Sequence, residues 1–267
     1  MTYPTAYYPN TSMYYELIYK FMGFTADGCV KIGATDADYE KYGLDDPAHV
    51  IFFDYNGNNY RMYFSALTDG RYYAFSNLNP DVIGFVEAEN AEFLEYELIK
   101  WIDPYLFQEY INLVDTISVS ADGVSANFKI THIPIEGATD EKNEKISVNA
   151  NGAGLSEKAS ENFRQYYKNL LAIAVVDYCK NDEYCPLTQE ELEKLAKDTE
   201  KAYLTFSYKT LAGKTETFRF YRYSNRHSLA TIDGVGEFYV PTDQIDKIKN
   251  DTLRILSGEE VTAYSKN

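Results

Sequence analysis

The chain has 267 residues and a formal net charge of −16, from 41 acidic and 25 basic side chains, and hydrophobic residues make up 45% of it. That is enough apolar material for one large domain or two modest ones. Nucleic-acid binding is excluded, because phosphate neutralisation needs a clustered basic surface and the sequence has none. Anionic membrane surfaces are disfavoured for the same reason. No run approaches the roughly 18 apolar residues of a membrane span, so no direct insertion is expected.

Residues 1–41 read as a helical lead-in. Met1-Thr2-Tyr3-Pro4 lacks the basic and apolar regions of a secretory signal, so a leader or anchor is expected upstream. Ser12 to Met22 reads as a helix capped by Ser12, with Tyr15, Ile18, Tyr19 and Met22 on one face. Cys29 to Ile32 is a short strand. Asp36 to Lys41 is a helical turn capped by Thr35.

Residues 42–114 form a first meander-plus-helix unit. His49 to Tyr55 is apolar with little alternation. Asn56-Gly57 follows it, the strongest short hairpin signal. Tyr60, Met62 and Phe64 alternate with Arg61, Tyr63 and Ser65, as in a half-buried strand. Asp69-Gly70 turns into Arg71–Phe75, and Val82–Val86 is the fourth strand. Ala91 to Ile99 has a helical period, with Asn90 as its N-cap.

Residues 115–200 hold a central hairpin and a long helix. Asp115–Ala121 pairs with Ser125–Ile133 around Asp122-Gly123, and Glu144–Val148 is a further strand. Ser156–Val175 is the longest helix, with Phe163, Tyr166, Tyr167, Leu170, Leu171 and Ala174 as its buried stripe. Thr188 opens Gln189–Lys197 with a capping box to Glu191. Residues 201–267 repeat the first plan. Phe218-Arg219-Phe220-Tyr221 parallels Tyr60-Arg61-Met62-Tyr63, Ala230 parallels Ala74, and a helix follows Pro241. The fold class expected is α+β: two similar antiparallel meander-plus-helix units joined by the central hairpin and the long helix.

Chemistry-bearing patterns are weak. His49, His132 and His227 lie far apart on presumptive strands and read as sheet residues. Asp36-Ala37-Asp38-Tyr39-Glu40 alternates carboxylates as a calcium loop does, but Lys41 stands where that loop needs glycine. Asp45-Asp46 and Glu89 with Glu92 read as acids at turns and helix starts. Cys179 and Cys185 enclose Lys180-Asn181-Asp182-Glu183-Tyr184. They form a candidate disulfide in an oxidising compartment or else two free thiols. Cys29 reads as a buried small hydrophobe. No catalytic, cofactor or metal residue is assigned. The 26 tyrosines and 15 phenylalanines suit half-buried sheet surfaces. Tyr72, Tyr73 and Tyr105 are the candidate binding aromatics.

Tyr-Gly-Leu-Asp-Asp-Pro at 42–47, Gly70-Arg71-Tyr72-Tyr73-Ala74 and Phe93-Leu94-Glu95-Tyr96-Glu97-Leu98-Ile99-Lys100-Trp101-Ile102-Asp103 resemble the bacterial domain of unknown function 4340 family. Asn162-Phe163-Arg164-Gln165-Tyr166-Tyr167, followed by Leu170-Leu171, resembles its long-helix segment. Together these cover about residues 12–260. The resemblance implies a membrane-anchored, extracytoplasmic, β-rich protein, encoded in some cases beside ABC-type export components, with no catalytic residues to carry over. The function expected is therefore a non-enzymatic interaction module whose partner is an envelope or transporter protein. The alternative is a glycan- or peptide-binding domain that uses an exposed tyrosine-rich sheet face.

Overall fold

The computed structural model describes residues 7–22, 25–136, 144–179 and 187–264. Among these it is an α+β fold with two antiparallel sheets. The chain divides into two compact units, Asn10–Trp101 and Met1–Pro9 with Ile102–Asn267. The segments 10–41 and 42–101, expected as lead-in and first unit, therefore group together.

In the unit Asn10–Trp101, α1 (Thr11–Met22), β1 (Gly28–Ile32) and α2 (Asp36–Lys41) precede the meander β2 (His49–Tyr55), β3 (Asn58–Phe64), β4 (Arg71–Ser76) and β5 (Asn79–Glu87). The sheet order is β1-β5-β4-β3-β2. Asn56-Gly57 joins β2 to β3 with both residues at positive φ, 49° and 76°, as a tight hairpin requires. One sheet face carries Phe64, Tyr72 and Val86, which pack with Ala91, Phe93, Leu17 and Trp101 as the core.

Two expectations fail in this unit. Ala91–Ile99 is not a continuous helix: two 3₁₀ turns, Ala88–Asn90 and Glu92–Glu95, lead into a single turn α3 (Leu98–Trp101). In such a helix Glu92 and Glu95, three residues apart, would be neighbours on one face, where like charges repel. Glu95 is instead drawn to the Tyr72 hydroxyl at 2.8 Å, and Asn90 donates to Asp27 rather than capping. The second failure is the cap of α1. Asn10, not Ser12, caps it: its Oδ1 accepts from Met13 N at 3.3 Å while its own N–H donates to Trp101 O at 2.9 Å. That anchor turns Tyr14 and Leu17 inward and leaves Tyr15, Ile18 and Tyr19 in solvent. Apart from the polar stripe of Ser12, Glu16 and Lys20 the helix is apolar over a wide arc, so its period alone does not say which part of that arc is buried.

The other unit holds β6 (Val114–Ala121), β7 (Val124–Pro134), β8 (Glu144–Ala150), β9 (Ala153–Gly154), α4 (Glu157–Leu171), β10 (Asp177–Tyr178), α5 (Gln189–Lys197), β11 (Leu204–Thr210), β12 (Thr215–Arg222), β13 (His227–Ile232), β14 (Val235–Pro241) and α6 (Thr242–Ser257). Its sheet order is β10-β14-β13-β12-β11-β6-β7-β8-β9. The central hairpin therefore does not bridge two sheets; β6 pairs with β11 and makes one. Phe128, Ile117, Val119, Tyr208, Phe206, Phe218 and Phe220 form a continuous buried row on one face. Phe163 and Tyr166 of α4 close on Phe128. On the opposite face Tyr221, Leu229 and Tyr239 pack with Leu192 and Ala196 of α5.

The repeat is threefold rather than twofold. The turn after each third strand is closed the same way. Asn77 donates its N–H to Arg61 O at 3.0 Å while its Oδ1 accepts from Arg61 N at 2.8 Å. Asp233 does the same with Thr217, at 2.8 and 3.0 Å. Asn151 does so with Asn127, at 2.9 and 2.8 Å. This aligns Arg61, Asn127 and Thr217, and so makes β6–β9 with α4 a third copy of the unit. It also slips the sequence alignment by two residues, setting Met62 against Phe218. A slip of two keeps every side chain on its face, which is why the pattern alone did not expose it. The first and last copies share a bulge just past the equivalent alanines, Ala74 and Ala230. At the latter, a Cβ on Gly236 would lie 2.0 Å from Ala230 O, so only glycine fits.

Phe220→Ala is expected to cost about 3–5 kcal/mol as a core truncation. Asp233→Ala is expected to cost about 1 kcal/mol for its lost backbone bond, and Asp233→Asn far less, because an amide oxygen still accepts. Urea unfolding of the three variants checks the order.

Candidate functional site

An ionisable cluster lies in the unit Ile102–Asn267 with Met1–Pro9. The Tyr208 hydroxyl donates to Glu216 Oε2 at 2.6 Å and reaches Glu109 Oε1 at 3.3 Å. Lys214 Nζ donates to Glu109 Oε1 at 2.7 Å and lies 3.3 Å from Glu216 Oε1. The Tyr167 hydroxyl, on α4, donates to the Glu109 carbonyl at 2.8 Å. Burial and the bond to Glu216 raise the Tyr208 hydroxyl far above its ordinary range. Burial alone would lower Lys214, but bonds to Glu109 and Tyr208 outweigh it and hold the ammonium charged. Both carboxylates thus have donors and one shared cation.

His132 sits at the end of the inner face of β7. Its Nδ1 is 2.7 Å from Glu144 Oε1 and its Nε2 is 2.8 Å from Val114 O. Both partners accept, so a neutral ring can satisfy only one of them with an N–H. Arg164 of α4 donates to the Glu144 carbonyl at 2.5 Å, tying the same corner to the helix. In the unit Asn10–Trp101, Glu95 lies 3.4 Å from His49 Nε2 and accepts from Tyr72. Burial, then the bond to Glu95, pushes the Tyr72 hydroxyl up to about 12.

A fourth polar array holds the segment after α6. Asn162 Nδ2 donates to Glu259 O at 2.8 Å and its Oδ1 accepts from Val261 N at 2.9 Å. Asn169 Nδ2 donates to Thr262 O at 2.9 Å and to Asp251 Oδ2 at 2.7 Å. Its Oδ1 accepts from Tyr264 N and Gln165 Nε2, both at 3.1 Å. The two asparagines are seven residues apart, about 10.5 Å along a helix. Their backbone partners are three residues apart, about 10 Å along an extended chain. That match lets one helix face seat an extended segment. Asp251, fully buried, is neutralised by Lys247, whose Nζ is 2.7 Å from both carboxylate oxygens. A shallow depression beside Tyr264, of about 170 Å³ and lined by Asn169, Ala172, Gln244, Lys247 and Ile248, has no enclosed room for a small molecule.

Of the aromatics singled out by sequence, Tyr72 and Tyr73 belong to one unit and Tyr105 to the other. Tyr72 is 1% exposed and lies in the core. It is not a binding aromatic, because β4 presents alternate residues to opposite faces and Tyr72 takes the inner one. Tyr73 takes the outer face and rests on Tyr42, ring centroids 4.7 Å apart. Tyr105 is 48% exposed, in the other unit. Cys185 lies outside the described residues, and Cys179 is buried. Cys29 is exposed, not buried: it stands on the outer edge strand β1. The three histidines are on β2, β7 and β13. Asp36 and Asp38 occupy the first turn of α2, where Asp38 accepts from Thr35 N and Oγ1. Among the described residues no group of three or more His, Cys, Asp or Glu is placed to hold a metal.

Some large apolar side chains are exposed. On α1, Tyr15, Ile18 and Tyr19 are 63%, 53% and 69% exposed, one side of a helix whose other side is already packed. On the outer sheet face of the same unit, the rings are largely covered by their own chain. Tyr63 stacks on Phe75 with planes 9° apart, Tyr39 meets Phe75 edge-on, and the Arg71 guanidinium lies 4.5 Å over Phe85. Comparison of the chain with family models, curated proteins and solved structures finds no match.

Tyr72 contributes stability that is complete below pH 10, its ordinary value, and is lost as pH rises toward about 12. The stability difference between wild type and Tyr72→Phe is therefore expected to shrink across that window in urea titrations; a flat difference would contradict the assignment. Asn169→Ala removes bonds to Asp251, Thr262 and Tyr264 and is expected to cost about 1–3 kcal/mol. Hydrogen exchange should show faster exchange at Tyr264, whose amide loses its acceptor.

Proposed function

We propose that the chain is a non-enzymatic interaction module of a bacterial envelope or ABC-type export assembly, acting outside the cytoplasm. The observation that carries the reading is the second apolar face of α1. Tyr15, Ile18 and Tyr19 recur at i, i+3 and i+4, the spacing of one helix face. The apolar arc of α1 is wider than the part that Tyr14 and Leu17 bury, and Ser12, Glu16 and Lys20 form a separate polar stripe, so Tyr15, Ile18 and Tyr19 are left over for a second surface. The missing surface is that of a partner protein, and two tyrosines and an isoleucine are suitable anchors for it. The closed state of the ionisable clusters fits a binding role, since each charge is already engaged within the chain. The family resemblance supports the compartment and the export setting. Among the described residues no helix is long and apolar enough to cross a membrane.

The alternative, glycan binding by the tyrosine-rich sheet, needs rings with a free face. On the outer sheet face those rings stack on one another or lie under arginines, which favours the protein partner.

The test is capture from envelope extracts with the full chain as bait, compared with Tyr15→Glu/Tyr19→Glu. Recovery of envelope or transporter subunits by the wild type, lost in the variant at unchanged unfolding midpoint, is expected. Recovery of polysaccharide or peptidoglycan fragments alone, or equal capture by the variant, would overturn the reading.

A further inference from the structure

The three copies of the meander differ in what covers their first strand. In the nine-stranded sheet the first strands of two copies, β6 and β11, cover each other. They pair antiparallel with Ser118 against Ser207, Val119 against Phe206 and Ile117 against Tyr208. Ser118 and Ser207 are equivalent residues: each faces, on the second strand of its own copy, the residue that closes the third turn, Asn127 and Thr217. The contact is thus a local pseudo-twofold centred on that pair. The remaining copy has Phe52 at the equivalent position, facing Arg61. Its first strand, β2, is the last strand of the five-stranded sheet, and among the described residues no strand follows it.

We propose that a second copy of this chain covers β2, by the same antiparallel pairing, with Phe52 centred on Phe52 of the other protomer. The register follows from the internal example. Ile51 faces Phe53 of the second copy, as Ile117 faces Tyr208, and Val50 faces Asp54. The chemistry of the strand agrees. His49-Val50-Ile51-Phe52-Phe53-Asp54-Tyr55 has no lysine and no proline, the two residues that most often blunt an edge. Val50 and Phe52 are 52% and 53% exposed on the outer face. The only acid, Asp54, is held by Asn59 of its own hairpin at 2.5 Å. Antiparallel pairing sets the two Asp54 carboxylates at opposite ends of the ladder. A twofold contact of this kind closes on itself, so the expected product is a dimer and not a fibre. Each chain carries −16, so the long-range repulsion opposes association and salt relieves it. This surface is separate from the α1 face, and either assignment can fail without the other.

The experiment is sedimentation equilibrium of the full chain over a concentration series at low and high ionic strength, with a crosslinking arm. A monomer–dimer equilibrium that tightens with salt is expected. Val50→Lys/Phe52→Lys should weaken it at least about tenfold with unchanged circular dichroism. In a Cys29→Ser background, Phe52→Cys should oxidise to a covalent dimer, because a directly opposed pair lies within disulfide reach. Val50→Cys should not do so alone, and Val50→Cys/Asp54→Cys should. A monomer at every concentration and salt, a dimer indifferent to the lysines, or crosslinking through position 50 alone would overturn the proposal.

Discussion

The antiparallel contact between β6 and β11 is what makes the larger unit one body. Without it the chain from Ile102 would hold two short meanders, each with a helix, and each would expose the edge of its first strand. With it, Val119, Phe206 and Phe218 become neighbours across three strands and bury one continuous aromatic row. Phe107 inserts against that row, meeting Tyr167, Phe206 and Tyr208 with ring centroids 5.0–5.3 Å apart. The burial that stabilises the sheet is therefore a product of joining copies, since a lone meander exposes one of its own faces and an edge.

The same joining explains where the polar clusters lie. Rows of aromatic residues end at the rim of the sheet, and charged groups gather there under partial burial. Lys214 lies between Glu109 and Glu216, His132 lies between Glu144 and Val114, and on α6 Lys247 lies over Asp251. Buried charges without such partners would be costly. Large apolar side chains stay exposed on the outward side of α1 and on β2.

Much of this architecture was legible in the residues. Turn glycines preceded by Asn or Asp, alternating strands and the capping box at Thr188 all lie where their local chemistry places them, because each acts within a few residues of itself. The third copy was not legible as such. Its signal, Asn151-Gly152 at the turn position taken by Asp233-Gly234, is two residues long, and a slip of two leaves the facial pattern intact. The rotation of α1 was also hidden, because Asn10 is held by Trp101, distant in sequence. The candidate aromatics fared unevenly for a related reason. Tyr72 and Tyr73 are adjacent, so one must go inward, and only the packing of Phe93 and Glu95 decides which.

The sequence by itself determined the strands, the hairpins, the long helices and the α+β class, since these rest on spacing, capping and turn chemistry. The tertiary structure alone decided which edges meet and which apolar faces remain open. Strand edges present the same backbone groups whatever their sequence, so the choice of β11 as partner for β6, and the exposure of β2, come from long-range burial that no local pattern encodes.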